Sequence, residues 1–421
     1  MPHPARPIHV VGLAGAAPGT PAGAAALADA ALVAAGREQL RALHARHAAA
    51  GTTPPDTVTL ASPLDAALTR IAAHDGPVAV LASGDPGFFG VLRTLALRVD
   101  AERLVVHPAP SSVSRAFARV GLPWEDARVV SAHGRGTGGI TAALGALLAG
   151  PKVAVLTAPD ADPAFLACAY ARIPDAPPRT LAVCERLGEP DERVVVGTPA
   201  EIGGATFADP NVLLAWRPDR PVPPGRVAML PPRGADAWGL PEEAFAHRAG
   251  MITKREVRAA ALAALGPGPG DVVWDVGCGS GSVAVECARL GAGAIALDHD
   301  AEAVAFAREN AAAHGVEIAA FAGAAPAALE GLPDPDAAFV GGGGADLDAI
   351  VDACAARARR VVVVTLATLE RIGPTLARLQ AAGLDAEGTL LQASRIRPLA
   401  DQHRLAPTNP VAVLVGRRPG A

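Results

Sequence analysis

The stretch DVVWDVGCGSGSVAVECA, residues 271–288, decides how the second half of the chain is read. An apolar run closes on Asp275, a glycine-rich turn follows, and small residues then open a helix. Glycine tolerates positive φ and lets a ligand approach the backbone, and the first amides of a helix are free to donate. The turn carries Gly277, Gly279 and Gly281. A dinucleotide-binding turn reads G-x-G-x-x-G. Here position 282 is serine and the third glycine comes one residue early, so no diphosphate is required. The next apolar run ends in ALDHD, placing Asp298 21 residues beyond Gly277. An acidic group there accepts the two hydroxyls of a ribose. The competing role, a helix N-cap, suits Asp300 better. FAGAAPAAL, residues 321–329, offers Gly323 and Ala324 as a wall for the base, or else an ordinary turn of small residues.

Working outward, strand-like runs alternate with helical stretches: DVVWDVG, AIALDHD, VEIAAFAG, DAAFVGG, RRVVVVTL, GTLLQASRI and VAVLVGR. Several are continuously apolar, as expected of parallel strands with helices on both faces. VAVLVGR has no helix after it and is expected as an added edge or antiparallel strand. The first half alternates less regularly, through IHVVGLAG, GPVAVLASGDPGFFG, ERLVVHPAPSSVSRAFARVG and GPKVAVLTAPDADPAFLACAY. It reads as two small α/β lobes, about 1–115 and 120–215. Prolines crowd residues 216–244, where they resist helix and inner strand, so that segment is expected to be a connector. The class is α/β, with one domain at 1–215 and another at 245–421.

Composition excludes several functions. The formal charge of −5 over 421 residues lacks the basic field of a nucleic-acid binder. All but two of the 37 cationic residues are arginine, the exceptions being Lys152 and Lys254. No uncharged apolar run reaches the ~18 to 20 residues of a membrane span, and no leader pattern is seen. The five cysteines form no CxxC pair and no metal spacing, which predicts a reduced, cytoplasmic protein without a metal.

The second half resembles the seven-stranded, Rossmann-like S-adenosylmethionine-dependent methyltransferases through DVGCGSGS and ALDHD. More narrowly, FAHRAGMITKREVRAAALAAL, GAAPAAL, PDAAFVGGGG and TLE resemble the C-terminal half of the precorrin-6B C5,15-methyltransferase (decarboxylating) family of cobalamin biosynthesis. The first half resembles the two-lobed tetrapyrrole methylases through VVGLAG, VLASGDPGFFG, HPAPSSVSRAFARVGLPW and SAHGR. It departs from them twice. GLAGAAPG delays the usual Pro-Gly pair, which puts contacts at Gly12–Gly15 in question. LTAPDADP stands where relatives read LTDG, which does the same for Thr157–Asp160.

The resemblance implies two S-adenosylmethionine sites per chain. One uses Asp275, Gly277, Gly279, Gly281, Asp298, Gly323 and Ala324; the other uses Gly12, Gly84, Asp85, Ser111 and Ser112. It implies an anionic tetrapyrrole substrate, methylated at carbons 5 and 15 and decarboxylated at the ring C acetate to give precorrin-8. Arginine forks suit its carboxylates, so Lys254, Arg255, Arg258, Arg395 and Arg397 are candidates to bind it, together with His133. For each cation the alternative is a solvated surface charge. A homo-oligomer is expected, with neither nucleic acid nor membrane as partner. Methyl transfer from a sulfonium asks chiefly for alignment and a dry cavity, and no residue is singled out as catalytic. Two other readings stay open: a single-site methyltransferase with an inactive first half, and a non-catalytic cofactor-binding scaffold.

Overall fold

The computed structural model describes residues 7–61, 63–133, 136–219, 237–248 and 250–420. By compactness the chain divides into two units. One is Met1–Trp124 with Cys184–Val195 and Ala208–Val212; the other is Glu125–Val183 with Val196–Phe207 and Leu213–Ala421.

The first unit is built on β1 (Ile8–Ala14), β2 (Ala17–Pro18), β3 (Leu32–Ala35), β4 (Asp56–Thr59), β5 (Val78–Ser83) and β6 (Leu104–His107). Its helices are α1 (Pro21–Ala28), α2 (Arg37–Ala50), α3 (Asp65–Ala73), α4 (Leu92–Ala96) and α5 (Ser112–Val120). β1 pairs in parallel with both β5 and β6, and β3 in parallel with β4 and β5. Successive side chains of a strand face opposite ways. Ile8 and Val10 therefore pack with Leu32 and Ile71 on one face, while Val11 and Leu13 pack with Val33 and Leu40 on the other.

A five-stranded sheet follows, ordered β10-β9-β11-β8-β7. Its strands are β7 (Arg128–Ser131), β8 (Lys152–Leu156), β9 (Thr180–Glu185), β10 (Arg193–Gly197) and β11 (Asn211–Trp216). Helices α6 (Gly136–Ala149), α7 (Pro163–Ala171) and α8 (Pro199–Gly203) accompany it. Of the proline-rich connector expected at 216–244, residues 220–236 lie outside the described residues.

The glycine-turn half forms a seven-stranded sheet, β14-β13-β12-β15-β16-β20-β17. The strands are β12 (Val272–Val276), β13 (Gly293–Asp298), β14 (Ala319–Ala322), β15 (Ala337–Val340), β16 (Val361–Leu366), β17 (Asp385–Leu391) and β20 (Val411–Arg417), with β18 (Ser394–Leu399) and β19 (Gln402–Pro407) forming a separate hairpin. The helices are α9 (Arg255–Leu265), α10 (Ser282–Arg289), α11 (Ala301–Ala313), α12 (Leu347–Arg357) and α13 (Ile372–Ala381). Every residue of β12, β13 and β15 is buried. Val273, Phe339 and Val363 meet Val257 and Leu265 of α9 on one face, and Ala294 and Ala296 meet Val304 and Ala307 of α11 on the other. The chain leaves β12 toward β13 and β14, then returns to its opposite side as β15. That reversal opens a crevice beyond the end of β12, where ligands of such sheets bind.

Two elements differ from the sequence reading. The last strand, β20, is antiparallel as expected, but it lies between β16 and β17 rather than at an edge. GTLLQASRI is not one strand: it ends β17 and then begins β18.

Helix α6 packs against the start of β13. A β-carbon on Gly145 would lie 2.6 Å from the Gly270 carbonyl oxygen and 2.7 Å from that of Asp271, and one on Gly293 would lie 2.8 Å from the Leu148 β-carbon. Alongside, the fully buried side chain of Arg179 meets Glu317 at 2.8 Å and donates to the carbonyls of Leu147 and Leu148. Replacing Gly145 by alanine should overpack this contact and cost roughly 1–3 kcal/mol. Thermal denaturation should show a lowered melting temperature; an unchanged one would mean that α6 does not rest on the β12–β13 end.

Candidate active site

The turn after β12 is built from three left-handed glycines, with φ of 71° at Gly277, 52° at Gly279 and 68° at Gly281. They serve different needs. A β-carbon on Gly281 would lie 2.5 Å from that of Ala307, so this glycine seats α10 against α11. One on Gly277 would lie 3.1 Å from the Gly342 amide nitrogen. At Gly279 no atom of the described residues, its two chain neighbours aside, comes within 4 Å of that point, so the room there is open to a ligand.

Asp298, at the end of β13, organises the turn. One carboxylate oxygen accepts the Gly279 amide at 2.9 Å and the other the Asp300 amide at 3.0 Å. Asp300 itself caps α11, accepting from the Glu302 amide. Asp275 is buried: one of its oxygens accepts the Ala284 amide at 2.9 Å, and the other has no hydrogen-bond partner among the described residues. Burial pushes its carboxyl up to about 7, with nearby Asp298 adding to the rise and the Ala284 amide opposing it. Such a group gives up the proton more readily when a cation is near. A cavity of about 230 Å³ opens at this turn, with Gly279, Ser280, Asp298, Met251 and Phe306 among its lining residues. Gly323 adjoins it through its amide, which donates to the Asp298 carbonyl at 2.8 Å; Ala324 follows, exposed. Open backbone, an orphaned buried carboxylate oxygen and an acidic strand end fit the ribose and the cationic methionine end of S-adenosylmethionine.

In the first unit the connections after β1, β5 and β6 converge. A β-carbon on Gly12 would lie 2.5 Å from the Gly84 carbonyl oxygen and 2.7 Å from the Ala109 amide nitrogen. Gly84, at φ 69°, faces the Ser112 amide at 3.3 Å by the same measure. Asp85 accepts from the Gly87 amide, and Ser111 caps α5 through the Ser114 amide. Gly12, Gly84, Ser111 and Ser112 thus lie together, with Asp85 next in the chain. The delayed Pro-Gly pair is absorbed locally. β2 folds back on β1, Gly19 donates to the Gly12 carbonyl at 2.9 Å, and Gly19 comes to rest against Ala109. The second departure, at Thr157–Asp160, forms a tight turn closed between Ala158 and Ala161.

Family models match both folds: the precorrin methyltransferase domain over residues 243–418, and the tetrapyrrole (corrin/porphyrin) methylases over 9–203. A precorrin-6Y C(5,15)-methyltransferase [decarboxylating] from a Sinorhizobium species is 37% identical over 336 residues, 76% of this chain and 78% of the relative. The chain belongs to the precorrin-6Y C(5,15)-methyltransferase family. A member from Mycobacterium tuberculosis is 32% identical over 68% of this chain and 70% of its own length. A probable cobalt-precorrin-6B C(15)-methyltransferase (decarboxylating) from Pyrobaculum calidifontis is 37% identical over 42% of this chain and 94% of its own length. The architecture is accordingly a tetrapyrrole methylase fold followed by a Rossmann-like methyltransferase fold, both of a kind that uses S-adenosylmethionine.

Within this family member the cations expected to bind substrate divide sharply. Arg258 is fully buried and pairs with the equally buried Glu286 at 2.6 Å. It also donates to the Thr253 and Leu240 carbonyls and lies 4.7 Å from the centre of the Phe245 ring. Glu286 in turn accepts the Gly239 and Leu240 amides. Arg258 is therefore a structural residue that fastens the segment before α9 to α10, and its assignment to substrate is corrected. Arg395 is likewise engaged. It binds Glu242 and Glu256 through paired hydrogen bonds of 2.7–3.0 Å and holds the Glu242 carboxyl down to about 2. Two carboxylates already occupy its fork, so it is not a free receptor for another. Lys254, at the N-cap of α9, spends its ammonium on the Gly250 carbonyl at 3.2 Å. Arg255 and Arg397 are exposed, the latter paired across the hairpin with Arg404. His133 is exposed, and the two residues after it lie outside the described residues.

Sequence reasoning missed Arg248, Met251, His299 and Phe306 on the cavity wall, and it missed Asn310. Buried Asn310 accepts the Ala246 amide and donates to the carbonyls of Ala246 and Ser280, so it ties the segment before α9 to the glycine turn. A lone asparagine on an otherwise small and apolar helix face was the available signal.

Arg258→Ala should cost about 3–5 kcal/mol, because it strands the buried Glu286 carboxylate. Denaturant titration should show the loss. A variant of native stability with impaired binding of an anionic substrate would instead return Arg258 to the substrate site.

Proposed function

We propose that the chain methylates precorrin-6B at carbons 5 and 15 and removes carbon dioxide from the ring C acetate, giving precorrin-8 in cobalamin biosynthesis. One observation carries this reading. The 336-residue match to the Sinorhizobium enzyme is longer than either fold alone, so it spans both. The family-model limits support domains near the expected 1–215 and 245–421, with the stretch around 216–244 joining them.

Each fold is assigned one S-adenosylmethionine. Bound there, the cofactor supplies a methyl group already activated by its sulfonium. In the C-terminal fold, Gly279 leaves backbone open to it, Asp298 accepts the ribose hydroxyls, Asp275 offers its unused oxygen to the cationic end, and Gly323 and Ala324 flank the base. In the N-terminal fold, Gly12, Gly84, Asp85, Ser111 and Ser112 form the corresponding seat. The electron-rich bridging carbons of a reduced tetrapyrrole need no strong base, consistent with the absence of a catalytic set among the assigned residues. Lys254, Arg255 and Arg397 are the accessible candidates for the substrate carboxylates, with His133. Exposed Ile396, Leu399 and Leu405 on the β18–β19 hairpin support a homo-oligomer. Net negative charge disfavours nucleic acid. Among the described residues no helix is long and apolar enough to cross a membrane, and no cluster of His, Cys, Asp or Glu could hold a metal ion.

The division of labour is testable by product mass. Gly279→Val and Gly84→Val each place a β-branched side chain at a left-handed position facing a seat. The first should abolish carbon 15 methylation together with decarboxylation, and the second only carbon 5 methylation. Nuclear magnetic resonance of the products locates each methyl. Decarboxylated product from Gly279→Val, or loss of both methylations in a folded Gly84→Val, would refute the assignment.

A further inference from the structure

The turn that carries Gly84 and Asp85 continues through Pro86, Gly87, Phe88 and Phe89 to Gly90, and it is tightly tied. The Gly87 amide bonds the Asp85 carboxylate at 2.8 Å, the Phe88 amide bonds the Asp85 carbonyl at 3.2 Å, and the Leu92 amide bonds the Pro86 carbonyl at 3.3 Å. A β-carbon on Gly90 would lie 2.4 Å from the Pro86 carbonyl oxygen, so the loop closes only with glycine there. Phe88 is half-buried and packs edge-on against Phe89, with ring centres 5.0 Å apart. Phe89 points outward: it is 53% exposed, and its φ is 55°.

Both properties act against folding. A bulky side chain at positive φ is strained, and glycine or asparagine would be preferred there. An exposed aromatic ring also forgoes burial in a chain with only nine phenylalanines, one tyrosine and four tryptophans. Isolated exposed apolar residues are commonplace. One held in a left-handed conformation by a rigid loop, a few residues beyond the proposed cofactor seat, is not explained by packing. Strain of this kind persists where a function requires it. A tied loop also loses little freedom when the ring meets a flat ligand.

Building on the proposed function, we infer that Phe89 is a substrate-specificity residue of the N-terminal fold, presenting its ring to the conjugated face of the tetrapyrrole during carbon 5 methylation. The aromatic face supplies apolar and stacking contact where the carboxylate-binding cations supply none. It orients the macrocycle and takes no part in the methyl transfer itself.

The test uses the full chain, with steady-state carbon 5 methylation measured as tetrapyrrole and S-adenosylmethionine are varied separately. Phe89→Gly removes the ring and the strain together. It should melt at or above the native temperature while raising the tetrapyrrole KM on the order of tenfold or more, with the cofactor KM unchanged. Phe89→Ala should raise the tetrapyrrole KM likewise, and Phe89→Trp should restore it. Native tetrapyrrole KM in both Phe89→Gly and Phe89→Ala would overturn this inference and leave the proposed function standing. Equal rises in both KM values would overturn it by making Phe89 a support of the cofactor loop. A native chain that turns over no reduced tetrapyrrole would remove the functional reading and this inference with it.

Discussion

The C-terminal fold depends on one carboxylate. Asp298 receives the Gly279 amide from the turn after the neighbouring strand and the Asp300 amide from two residues further on, so the glycine turn and the start of α11 are set by the same two oxygens. Backbone amides left without partners in this part-buried turn would each cost up to about 1–3 kcal/mol. The carboxylate satisfies them and keeps lone pairs for a ligand. Gly281 can then press on Ala307, and Gly279 stays open. The geometry that stabilises the turn also leaves the open backbone and free lone pairs that a nucleoside would need.

Much of this was legible beforehand, for physical reasons. Continuous apolar runs such as AAFV have no polar face, so they must lie in the middle of a covered parallel sheet, and they do. The glycine spacing and the acidic strand end are local features, and local features survive folding. What escaped depended on distant partners. Nothing in MITKREVR reveals that Arg258 will be claimed by Glu286 across a helix pair, whereas Arg255, one turn earlier at the first residue of α9, stays exposed. Nor could the run VAVLVGR disclose that β20 would insert between β16 and β17, because strand order is set by pairing, not by the strand's own residues. GTLLQASRI kept strand character throughout, so its division into β17 and β18 left no sign in the composition.

The first half shows the opposite case. Its glycine turn departs from the family pattern, which by sequence put the seat in question. The fold answers locally: a short hairpin brings Gly19 back to Gly12 and Ala109, and the three connections still converge. An insertion in a surface turn costs little when its ends remain close. The two folds gather their candidate residues by different means. One uses left-handed glycines under an aspartate, the other a convergence of glycine and serine at three strand ends.

The central claim is that one chain holds two methyl donors. Equilibrium dialysis of the intact protein against labelled S-adenosylmethionine measures this directly. The account predicts two bound per chain at saturation, falling to one when Gly279 is replaced by valine and the chain remains folded. Saturation of the unaltered protein at a single cofactor per chain would contradict it.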